Sequence, residues 1–249
     1  MPRSASQNVA ILLFSFVFIT KTGLAAFDAQ HAPHHFFNAQ VLDKGEAQVA
    51  ISGNVKYGIL PELEIGTQFA LLTLPKPNIW NFALKHRMFE TAESKTSFVS
   101  HSFYTKSGTT DAIASLYGIV NTREFLHPHS LLSLGLFDGL LIESQSQQSY
   151  NAHRLTPSIA WDWVIAKHWA MSLIVVKPIY ALEQAQSVDA GELSKQVDFT
   201  KQQSEFAYSS ATFTYSGDSF NFEFGAISPS TQLDFIMPYI NMFWRFHAS

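Results

Sequence analysis

The chain is predicted to be all-β, a transmembrane antiparallel up-and-down barrel, and three observations point there. The first is alternation. From Glu46 to Tyr57, the residues Glu46, Gln48, Ser52, Asn54 and Lys56 alternate with Ala47, Val49, Ile51, Val55 and Tyr57. Successive side chains of a strand point to opposite faces, so such a segment wants water on one side and apolar material on the other. The second is composition: charged residues make up 14% of the chain, against roughly 25% in ordinary soluble domains, while aromatic residues reach 14% and Phe alone numbers 22. The third is strand spacing of roughly 13 to 16 residues, which suits long tilted barrel strands better than the roughly 8 to 12 of a soluble sandwich.

The N-terminus supplies an export signal. Arg3 precedes the eleven-residue apolar run Val9–Ile19, which is followed by Lys21 and the small-residue stretch Gly23, Leu24, Ala25, Ala26. That is the pattern of a secretory signal peptide over 1–26, and the run is too short for a spanning helix, which needs roughly 20 residues. The remaining segment, 27–249, reads as one domain with no exact repeat or low-complexity linker. Its 14 basic and 20 acidic residues give a formal charge of −6, the wrong sign for a nucleic-acid partner. The chain has no Cys, so an exported fold must be held by something other than disulfides, and a closed hydrogen-bonded barrel is one such frame.

Taken in order, strands are expected at 46–57, 63–71, 80–88, 95–106, 111–121, 130–143, 152–165, 169–182, 203–216, 219–227 and 233–246. Eleven strands would leave the termini on opposite sides of a membrane. Single-chain barrels usually have even counts, so residues 34–42 (HHFFNAQVL) are the expected twelfth, with about ten strands as the alternative. Turns near Leu60, Glu93, Lys167 and Gly217 are short, whereas the connections at 143–152 and 183–202 are long, polar and expected outside the cell.

Alternation also assigns the faces. Glu46, Gln48, Asn54, Lys56, Glu64, Gln68, Lys85, Arg87, Arg154, Asp162 and Arg245 are expected to line the lumen. Charges there must pair into a plug or line a wet path, because an unpaired charge in a narrow interior is costly. Tyr57, Trp80, Trp161, Trp163, Trp169, Trp244 and Phe246 are expected to form aromatic girdles at the membrane interfaces rather than a stacking site.

The last strand carries Ile236, Ile240, Met242, Trp244 and Phe246 on one face and closes on an aromatic residue three positions before the end. It resembles the terminal strand that the barrel-assembly machinery of Gram-negative outer membranes recognises, although there the aromatic is normally the last residue. Lys44-Gly45-Glu46, Tyr57-Gly58 and Leu63-Glu64-Ile65-Gly66 resemble the first hairpin of a broad set of small outer-membrane barrels. The resemblance covers about 25 residues and implies an outer-membrane location, membrane lipid and the assembly machinery as partners, and, for many members, presumed transport.

Two chemical alternatives are weighed. Outer-membrane hydrolases place Ser and His on one outer rim, but His101 should point away from Ser100 and Ser102, and the His127–Ser130 stretch falls in a turn at the wrong end. No catalytic residue is therefore expected. His31, His34 and His35 cluster, yet without Cys and with only Asp28 nearby they read as a polar tail, so neither a metal site nor a cofactor is expected. The expected function is a narrow channel or transporter for small solutes, with a closed structural or adhesion barrel acting through its outer loops as the rival.

Overall fold

The computed structural model describes residues 34–68, 78–107, 110–145, 148–187, 208–228 and 236–247. The expected signal peptide, His31, Asp28 and most of the expected 183–202 loop lie outside them.

The described residues contain thirteen strands. They are β1 (Glu46–Ala50), β2 (Asn54–Leu60), β3 (Leu63–Gln68), β4 (Asn78–Glu90), β5 (Ser94–Ser107), β6 (Thr110–Phe125), β7 (His127–Gln145), β8 (Gln148–Ala166), β9 (Trp169–Val176), β10 (Tyr180–Ser187), β11 (Tyr208–Ser216), β12 (Phe220–Ser228) and β13 (Met237–His247). All pairings are antiparallel, and β1 pairs with β13 from Glu46↔His247 to Ala50↔Phe243, which closes the sheet on itself. β9 and β10 are two halves of one barrel strand. Both pair with β8, through Ser158↔Val176 and Leu155↔Tyr180, and the ladder slips at Lys177–Ile179, where Pro178 has no N–H to contribute. The result is a closed twelve-stranded up-and-down barrel.

The twelfth strand arises differently from expectation. The stretch 46–57 is a hairpin, β1 and β2, turning at 51–53, where Gly53 has φ 79° and its N–H bonds Ala50 O at 2.9 Å. Gln48 faces Lys56 and Ala47 faces Tyr57 across it. Partners share a face, so the even residues stay inward on both sides of the turn, and the alternation runs through it without a break. Residues 34–42 form no strand; they enter the lumen. The expected 143–152 loop is also corrected: β7 continues to Gln145 and β8 starts at Gln148, with Glu143 opposite Tyr150. Its Gln and Ser residues read as loop because both faces of this ladder are polar, leaving no period to detect.

Both termini of the barrel and the tight turns after Leu60, Glu90, Phe125, Ala166 and Ser216 lie at one end, the terminal end; the other is the loop end. β1, β2 and β3 run 5, 7 and 6 residues while β7 and β8 run 19 each, so the wall is low on one side and tall on the other. Burial is inverted relative to a water-soluble protein. Trp80 and Ile240 are each 64% exposed and Leu136 52%, whereas Lys85 is 3% and Asp162 1% exposed.

Candidate functional site: the plugged lumen

The lumen contains the chain's own N-terminal segment. Residues 34–42 cross the interior near the terminal end, anchored at each wall they pass. On the low side Glu64 Oε2 accepts from Leu42 N at 3.1 Å and lies 3.1 Å from His34 Nε2. In the middle, Lys85 Nζ donates to His35 O at 2.7 Å and Gln40 O at 3.0 Å. On the β5–β7 side Ser97 Oγ donates to Ala39 O at 2.8 Å, and Ala39 N donates to Thr122 Oγ1 at 2.7 Å. On the far side Asp162 takes His35 Nε2 at 2.8 Å and Asn38 Nδ2 at 3.3 Å, and it is steadied by Ser172 Oγ at 2.7 Å. A buried carboxylate is tolerable only when its lone pairs are met in this way.

Aromatic packing completes the plug. Phe36 stacks on the fully buried Phe137 at 5.6 Å between centroids, and Phe37 meets Phe137 edge-on at 5.7 Å. Val99, Val120 and Leu116 close around them. Glycines admit this bulk. A Cβ on Gly58 would fall 2.0 Å from Asp43 O, and one on Gly135 2.4 Å from Ser158 Oγ and 2.6 Å from the Phe137 ring, so neither position has room for a side chain. Burial among these groups holds the His34 imidazole well below its ordinary value despite the Glu64 carboxylate beside it, keeping it neutral.

Beside the plug lies a cavity of about 280 Å³. Its polar wall follows the low side of the barrel: Gln48, Asn54, Lys56, Glu64, Gln68 and Lys85 from β1 to β4, then Asn241, Glu223, Thr212 and Ser210 from β13, β12 and β11. Phe37, Ile174, Tyr208 and Phe243 supply apolar surface. The charges are largely engaged: Lys56 Nζ stands 3.8 Å from Glu64 Oε1, and Glu223 Oε2 accepts from Tyr239 Oη at 3.2 Å.

Six of the eleven residues expected in the lumen thus meet at one cavity, and Asp162 holds the plug. The other four keep the same inward parity along their strands but lie off this cavity. Glu46 accepts from Asp43 N at 3.1 Å at the terminal rim. Arg87 pairs with Glu90 at 3.1 Å and donates to Pro61 O at 2.7 Å in the adjoining turn. Arg245 lies over the Phe243 ring at 5.6 Å, and Arg154 pairs with Gly139 on the tall side of the barrel, two positions from the Phe137–Thr156 pair.

On the outer surface, Tyr57, Trp163, Trp169, Trp244 and Phe246 gather toward the terminal end, with Trp163 stacked on Trp161 at 6.1 Å, and Trp80 lies at the opposite end of β4. His101 lines the cavity whereas Ser102 faces outward, accepting from Ser115 Oγ at 2.9 Å. His34 and His35 diverge toward Glu64 and Asp162, and no group of three metal-ligating side chains forms among the described residues.

Sequence reasoning missed Ser210, Thr212, Glu223 and Asn241, although the same alternation marks them against Phe213, Phe224 and Ile240. It also missed the plug, whose contacts span up to 127 positions and leave no local trace. No family model matches the chain, and no curated protein matches it.

Proposed function

We propose that the protein is an integral outer-membrane barrel, exported by its 1–26 signal peptide, that admits small solutes to a lumen gated by its own residues 34–42. One observation carries the reading: the plug beside a polar cavity is held by hydrogen bonds, ion pairs and ring contacts, with no covalent tie. Such a set of contacts is strong enough to keep a passage shut and can be exchanged for water when the segment moves. The inverted burial supports a lipid surround, because 64% exposure of Trp80 and Ile240 is favourable only against hydrocarbon. The terminal strand supports recognition by the assembly machinery, and outer-membrane lipid is the remaining partner. The reading requires no catalytic step and no cofactor.

Planar-bilayer recording tests it. Refolded full-length mature protein is expected to be closed, with at most brief openings, and the variant lacking residues 34–42 to give steady conductance that Lys56→Ala alters. A folded deletion variant that stays silent overturns gating and favours the closed structural or adhesion barrel.

A further inference from the structure

Beside the cavity the wall of the barrel stops short. A strand needs about 9–11 residues to cross a membrane, yet β1 has 5 and β2 has 7, and both reach up from the terminal end. Their turn therefore lies at bilayer depth. Ile51 in that turn is 57% exposed, an apolar side chain that gains from hydrocarbon and not from water. The neighbouring strand fixes the level. Ile51 N donates to Met242 O at 2.8 Å, and beyond that bond the chain of β13 still presents exposed Ile240 and Ile236 on its outer face.

Above the turn, nothing among the described residues pairs with this edge of β13. Alternate residues of a strand aim their backbone groups the same way, so Met242, Ile240 and Pro238 share the edge. Pro238 has no N–H, and proline is tolerated in a strand where no ladder bond is made. β1 and β2 both end here, which widens the gap to more than two strand spacings of about 4.8 Å each. On its inner side stand Asn54 and Gln68, paired at the top of β2 and β3, and Tyr239 from β13; all three line the cavity. Side-chain amides opening toward hydrocarbon are costly unless something polar covers them. The charges of the cavity are already met, Lys56 by Glu64, Lys85 by two plug carbonyls and Glu223 by Tyr239, so a charged group arriving there would displace a partner. A molecule with hydroxyls at one end and an acyl chain at the other suits both sides of the gap.

We infer that the lumen opens sideways to the membrane between β13 and the β1–β2 turn, and that a neutral amphiphile enters there, its hydroxyl-bearing head among Asn54, Gln68 and Tyr239 and its chain left in the bilayer against Ile51 and Ile240. This deepens the gated-solute reading by naming the solute class and its route, and it rests on the lipid surround of that reading. The chain has no native Cys, so bimane on Asn54→Cys reports from the lumen side of the gap and bimane on Val55→Cys from the lipid side. Full-length mature protein in lipid nanodiscs is titrated with a monoacylglycerol that carries a doxyl quencher near its head; the same doxyl on a fatty acid and on phosphatidylcholine provides the comparators. At Asn54 the monoacylglycerol is expected to quench saturably and more strongly than either comparator, with half-saturation rising about fivefold in Gln68→Leu. At Val55 all three should quench without saturating. Tyr239→Phe serves if Gln68→Leu fails to fold as judged by heat-modifiable migration. No quenching at Asn54 in folded protein, quenching that never saturates, stronger quenching by a comparator, or unchanged half-saturation in the folded variant overturns the inference. An unquenched Val55 refutes the lipid surround itself. Saturable quenching in a protein that never conducts refutes the gate alone, and conductance on plug removal without quenching at Asn54 refutes the sideways route alone.

Discussion

Lys85 reaches across the lumen to two backbone carbonyls of the plug, His35 O and Gln40 O, rather than to a side-chain carboxylate. Lys85→Met keeps the stem and removes both donors, so docking of residues 34–42 should weaken by about 1–3 kcal/mol for the stranded carbonyls. Limited proteolysis of folded protein in micelles should then cut the segment faster than in the parent, and an unchanged rate would deny Lys85 this role. His34 makes a pH-dependent contribution of the opposite kind to a stabilising salt bridge. Burial lowers its pKa in the docked state, so the released segment binds a proton more readily than the docked one. The docked state is therefore fully favoured above the ordinary His value of about 6.5 and loses stability as pH falls from there toward the docked value. Glu64, Lys56 and Lys85 face the imidazole, and the net expectation is more frequent openings at about pH 5 than at about pH 7.5, largely abolished in His34→Gln. Openings that are pH-independent, or that keep the same dependence in His34→Gln, would remove His34 from the gate.

At the scale of elements, the tall strands place a boundary on the outer surface. Leu134, Leu136 and Ile159 are exposed and apolar, and just beyond them Tyr117 Oη donates to Asp138 Oδ2 at 2.7 Å while His153 Nδ1 lies 3.1 Å from the same oxygen. A carboxylate and an imidazole do not sit in hydrocarbon without cost, so the lipid should end there. Spin labels on Leu136→Cys and His153→Cys should show oxygen collisions dominating at the first and polar-reagent collisions at the second; the reverse order would misplace the bilayer.

The strands themselves were legible in the sequence because one face had to be apolar, as at Trp80, Phe82 and Leu84 or Leu155, Ile159 and Trp161. Where that requirement lapses, legibility lapses too. Glu143 to Ala152 is polar on both faces and reads as loop, while the turn at Gly53 preserves the parity of its neighbours and reads as strand. His34 to Leu42 has the apolar, aromatic character of a strand, but its partners are wall residues far along the chain. Gln48, Lys56 and Glu64 were recoverable as lumen residues because each holds the polar side of its strand's alternation.

At the scale of the whole molecule, the plug and the closed wall depend on each other. Residues 34–42 have no regular secondary structure of their own, and their backbone groups are met by Glu64, Lys85, Ser97 and Thr122 from four successive strands. The wall in turn carries buried Lys85, Glu64 and Asp162, which would be stranded in an empty lumen. The absence of native Cys allows the central claim to be tested by pairing two introduced ones. In the double variant Ala39→Cys/Ser97→Cys, placed where Ser97 Oγ now meets Ala39 O at 2.8 Å, mild oxidation of folded protein in lipid should form an intramolecular disulfide that holds the channel shut until reduced. Folded, oxidised protein in which both thiols stay free would contradict a lumen closed by the N-terminal segment.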